Sequence, residues 1–92
     1  MKVKITYWDG TSEVVNVDSR VFEYVPEKGT INVSLLYDLL EERARLEERL
    51  ELVDTTEGIA KPYLEGISAL EWALAFVERS IDIGVRSWEV LE

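Results

Sequence analysis

The stretch from Pro62 to Ser80 limits the fold more than any other part of the chain. Tyr63, Ile67, Leu70, Leu74, Val77 and Ile81 recur at spacings of four and three, which puts them on one stripe of a helix. Trp72 and Phe76 fall well off that stripe, near the far side, with Ala69 among them. A surface helix keeps its far side polar; this one does not, so it has to be covered on more than one side. Gly66 and Ala73 lie beside the stripe and leave room for another backbone to come close. Pro62 suits a first helical turn, while Ser68-Ala69-Leu70-Glu71 matches a capping box, so the helix is expected to begin at Pro62 or at Ala69. The unbroken stripe favours Pro62. Gly84 is placed for a left-handed C-terminal cap.

What precedes this helix reads as strands and one further helix. Lys2–Trp8 alternates, with Val3, Ile5 and Tyr7 on one face. Asp9-Gly10 signals a turn, and residues 11–17 return as a second strand. A two-residue loop would turn Val15 and Val17 to the wrong face. A three-residue Trp8-Asp9-Gly10 loop, with Gly10 in the left-handed position, sets them beside Val3 and Ile5 and is the expected register. Val21–Val25 reads as a third strand with apolar groups on both faces, Pro26–Gly29 as a turn, and Thr30–Val33 as a short fourth strand. Ser34 is the expected N-cap of a helix over residues 35–52, half apolar stripe and half dense charge, which Asp54–Gly58 ends. The tail Val85–Leu91 alternates as a last strand, with Arg86, Trp88 and Val90 on one face. It is expected to return to strand one.

The order ββββααβ implies one α+β domain over residues 1–92. In it a mainly antiparallel sheet of three to four N-terminal strands plus a C-terminal strand packs on two helices in two layers. A chain of this mass buries roughly 60–65% of its unfolded surface, which builds a core but not a deep cleft.

Composition removes several function classes. The net charge of −9 opposes binding to DNA or RNA grooves, which takes a cationic face, and opposes adhesion to anionic membranes. The chain has no Cys and no His, so thiolate chemistry, Ser–His pairs and the commonest metal ligand are absent. The five glycines are isolated, and none forms a phosphate loop. Asp54 and Glu57 are the nearest approach to a cation pair, and solvated loop carboxylates are the better reading. No catalytic residue, metal site or cofactor is expected. The opening Met1-Lys-Val-Lys-Ile has no apolar signal core, and the chain is expected to be cytoplasmic.

Three candidate surfaces remain. Trp72 and Phe76, spaced by four and flanked by Leu64 and Ala69, have the form of an anchor on a protein partner or on a second copy of the chain. Glu41, Glu48 and Glu51 on the first helix could dock on a basic, nucleic-acid-binding protein surface, as small viral or mobile-element inhibitors do; that analogy rests on size and charge alone. Arg43 interrupts the stripe Leu36–Leu39–Leu46–Leu50. Either its stem packs across the stripe edge and its head reaches Glu47, or it grips a small anion or ligand near Tyr24, Tyr37 and Tyr63. The sequence reading is therefore a small acidic protein–protein interaction module, self-associating, without catalytic activity of its own.

Overall fold

A computed structural model describes residues 1–53 and 57–92. The N-terminal hairpin joins β1 (Lys2–Tyr7) to β2 (Ser12–Asn16) through the three-residue loop expected from the valine pattern. Val3 faces Val15 and Ile5 faces Glu13, Gly10 takes φ +89°, and its amide donates to the Tyr7 carbonyl. The Asp9 carboxylate accepts from the Thr11 amide at 2.9 Å and closes the turn. β3 (Lys28–Thr30) and β4 (Val85–Val90) complete an antiparallel sheet in the order β2-β1-β4-β3, and the last strand does return to strand one.

Four local expectations are corrected. Val21–Val25 is not a strand. Ser19–Glu23 forms a 3₁₀ turn capped by Asp18, which accepts from the Arg20 amide. A spacing of four serves a helical turn as well as it serves a strand, and Val21 and Val25 both bury in the core. The short strand lies at Lys28–Thr30, not 30–33, so Gly29 is in a strand with negative φ and not in a turn. Gly29 is there because the Trp88 ring lies against it: an added Cβ would stand 3.1 Å from Cζ2. The N-cap of α1 (Val33–Leu52) is Asn32, whose side chain accepts from the Ser34 amide at 2.8 Å. Finally, α2 runs from Glu57 to Asp82, with Pro62 inside it and Gly58 in its first turn. Pro62 forgoes one intrahelical hydrogen bond. The suggested Asp54/Glu57 cation pair lies outside the described residues.

β4 also departs from simple alternation. Ile5 faces Trp88, Thr6 faces Ser87, and Tyr7 then faces Val85, so Arg86 is the extra residue of a bulge. The bulge turns both Val85 and Trp88 to the core, although they stand three positions apart. α2 lies on this face of the sheet and α1 packs against α2. Leu70, Ala73, Leu74 and Val77 meet Val3, Ile5, Val85 and Trp88, with Val21, Val25 and Leu39 closing the sides. Gly66 lets Leu46 of α1 and the Tyr24 hydroxyl come close, since an added Cβ would stand 3.1 Å and 3.2 Å from them. Among the described residues no helix packs on the opposite sheet face. In register across it run Val14, Lys4, Glu89 and Lys28.

Candidate functional site

The structure divides the aromatic patch of α2. Ala69 is buried at 1% exposure and belongs to the core. Phe76 is half-buried between two other rings, edge-on to Phe22 at 5.9 Å and to Trp88 at 5.5 Å between centroids. Both pack chiefly inside the domain, and what remains of each borders a cleft: Ala69 beside Arg20 and Tyr24, Phe76 beside Tyr7 and Val15. Trp72 and Leu64 stay on the outer side of α2, 45% and 53% exposed. The expected stripe is likewise internal along Leu70, Leu74 and Val77, but Ile81 at its end is exposed.

Trp72 is not a free side chain. The Arg20 guanidinium lies 5.0 Å from the centre of its ring, the geometry of a cation–π contact. Arg20 is in turn held by Asp18 through two bonds, Nε to Oδ1 at 3.0 Å and Nη2 to Oδ2 at 2.8 Å. These bonds, with the Arg20 amide, pull the Asp18 carboxyl pKa down to about 2. Asp18 thus does three things at once: it caps the 3₁₀ turn, orients Arg20 and cancels its charge. The sequence shows no sign of this clamp, because Asp18 and Trp72 are far apart in the chain and Val21–Val25 reads as a strand.

Beside the clamp, a cleft of about 560 Å³ opens between the 3₁₀ turn and α2, lined by Arg20, Glu23, Tyr24, Pro62, Glu65, Gly66 and Ala69. Burial, with lesser contributions from Glu42 and Glu23, raises the pKa of the Tyr24 phenol, so it remains an O–H. With Arg20 paired to Asp18 and Glu42 paired to Arg45, the Glu23 and Glu65 carboxylates that line the cleft set its potential. It suits a cation better than an anion.

The other two candidates stand apart. Glu41, Glu48 and Glu51 are exposed along the outside of α1. Beside them Arg45 bonds Glu42 at 2.9 Å. Arg43 is half-buried in the stripe, its Nε 3.9 Å from Glu47, and it does not line the cleft that Tyr24 borders. Tyr37 is exposed, and Tyr24, Tyr37 and Tyr63 line no common cleft with Arg43 among the described pockets. No helix among the described residues is long and apolar enough to cross a membrane. Comparison with protein-family models, with curated proteins and with solved structures yields no match.

Proposed function

We propose that this protein is a small binding module that docks on a cationic protein surface through the Trp72–Arg20 clamp and the acidic cleft beside it. The observation that carries this reading is the clamp. Tryptophan and arginine dominate the energetics of protein interfaces, and an aromatic ring already stacked and fixed loses little entropy when a partner covers it. Here the arginine is pre-oriented by Asp18, and its charge is spent, so it does not repel a basic partner. Around it the net charge of −9 draws a basic partner in from a distance, and Glu41, Glu48 and Glu51 extend the attraction along α1. Proteins that bind nucleic acids present such cationic surfaces, and occupying one would make this chain an inhibitor.

A photocrosslinking residue at position 64, exposed on the same side of α2 as Trp72, traps the partner, whose affinity is then measured with purified components. Binding should weaken at least tenfold between about 0.05 M and 0.5 M salt, as expected for a charge-complementary interface. Trp72→Ala and Glu65→Lys should each weaken it by a similar factor while leaving the far-UV circular dichroism unchanged. Equal affinity of Trp72→Ala and the parent, or an affinity indifferent to salt, would refute the proposal.

A further inference from the structure

The two edges of the sheet are built differently. The β3 edge has three residues, follows Pro26, carries Lys28 and runs directly into α1. Short length, proline and lysine are the usual devices that stop an edge from pairing with another chain. The β2 edge has none of them. Ser12–Asn16 is straight, free of proline, lysine and bulge, and has Val14 at its middle, 56% exposed. Its one charge, Glu13, is drawn toward the core-side face, where its Oε1 accepts from the Tyr7 hydroxyl at 2.8 Å.

The register states which backbone groups are free. The Tyr7 amide donates to the Thr11 carbonyl, and the Val17 amide to the Met1 carbonyl. Antiparallel pairs alternate, so residues 11, 13, 15 and 17 turn their amides and carbonyls toward β1, and Ser12, Val14 and Asn16 turn theirs outward. Among the described residues nothing bonds those outward groups. Below the edge, the helices leave part of the sheet bare: a cleft of about 540 Å³ is lined by Tyr7, Val15, Val17, Phe76 and Ile83, among others.

We infer that β2 is a self-pairing edge, and that two copies of this chain join antiparallel about a two-fold axis at Val14 to make one continuous sheet. In that register Val14 faces Val14 of the second copy and Ser12 faces Asn16, so about six main-chain hydrogen bonds form and every outward group is used. A shift of one residue toward the hairpin turn sets Glu13 opposite Glu13, and like charges directly opposite are unfavourable. In the Val14-centred register Glu13 faces Val15 instead. The arrangement closes on itself and leaves no further edge of this kind, so it gives dimers and not fibres. Charge disposition agrees with it. The start of α1, with the Asp38 carboxylate, sits beside Pro26 and Thr30 at the β3 end of the sheet, across the sheet from the axis.

The chain has no cysteine, so single cysteines report the pairing cleanly. In the paired state two residues at position 14 lie about 5.5 Å apart between Cα atoms, while two residues at position 12 are about four residues out of register, roughly 13 Å. With a short bismaleimide, Val14→Cys should cross-link at least fivefold faster than Ser12→Cys. Sedimentation equilibrium should give a dimer for the parent chain, and Val14→Pro, which removes two of the hydrogen bonds while keeping the bonds to β1, should raise the dissociation constant about 10- to 100-fold. Circular dichroism confirms that Val14→Pro is folded; if it is not, the cross-linking ratio alone decides. A parent chain that stays monomeric up to about half millimolar, equal cross-linking at positions 12 and 14, or a folded Val14→Pro that dimerises like the parent would each overturn the inference.

Discussion

Phe76→Ala and Trp72→Ala, made in parallel, test the division of α2 into an inner and an outer aromatic. Phe76 packs edge-on against Phe22 and Trp88. Truncating a core phenylalanine costs about 3–5 kcal/mol; since Phe76 is half-buried, about 2–4 kcal/mol is expected, including the two aromatic pairs at about 0.5–1.5 kcal/mol each. Trp72 is 45% exposed, and its one specific partner is the Arg20 cation. An exposed cation–π contact contributes about 0.5–1 kcal/mol, so with some loss of packing Trp72→Ala should cost about 1 kcal/mol. In a domain of this size, 1 kcal/mol moves Tm by about 4–8 °C. Phe76→Ala should therefore lower Tm by about 8–32 °C, and Trp72→Ala by about 4–8 °C. Thermal unfolding followed at 222 nm measures both, and urea titrations check that the m-value is unchanged. Equal losses for the two variants, or a Phe76→Ala loss below 1 kcal/mol, would mean that the inner and outer faces of α2 have been misassigned.

Two further outcomes follow from the same geometry. The Asp18 carboxyl titrates at about 2 in the folded chain against an ordinary value of 3.8, because Arg20 binds its charged form. A lowered folded pKa means the contribution is complete above pH 4 and is lost as pH falls through 2. Asp18→Asn should flatten the pH dependence of Tm in that window, and an unchanged slope would show that the clamp is not formed in solution. Gly29→Ala would place a methyl group 3.1 Å from Trp88 Cζ2. The indole cannot retreat without breaking its bond from Nε1 to the Pro26 carbonyl at 2.8 Å, so a loss of about 1–3 kcal/mol in urea denaturation is expected, and a neutral result would mean the ring is free to shift.

Much of the architecture was legible because periodicity reports burial. The valines of β2 selected a three-residue turn over a two-residue one, and the stripe of α2 located Leu70, Leu74 and Val77 in the core. Legibility failed where a short apolar segment satisfies two periods. Val21-Phe-Glu-Tyr-Val25 alternates like a strand, yet its two valines are also one helical turn apart, and the Asp18 cap decides for the turn. It failed again in β4, where Val85 and Trp88 have opposite parity and only a bulge lets both bury. The helix boundary at Pro62 went the same way, because a proline near a helix start reads as its first turn whether or not the helix extends before it.

The candidate surfaces show the same limit at long range. That the chain is acidic, that it lacks histidine and cysteine, and that Trp72 and Phe76 crowd one helix were properties of the sequence alone. Which of those two aromatics faces outward depended on where Phe22 and Trp88 came to rest, from 54 residues before Phe76 and 12 after it. The Asp18–Arg20–Trp72 clamp and the bare β2 edge exist only once the 3₁₀ turn meets α2 and the strands take the order β2-β1-β4-β3. Local pattern encodes how each segment buries itself. Contacts between distant segments, which determine what is left at the surface, are decided by packing.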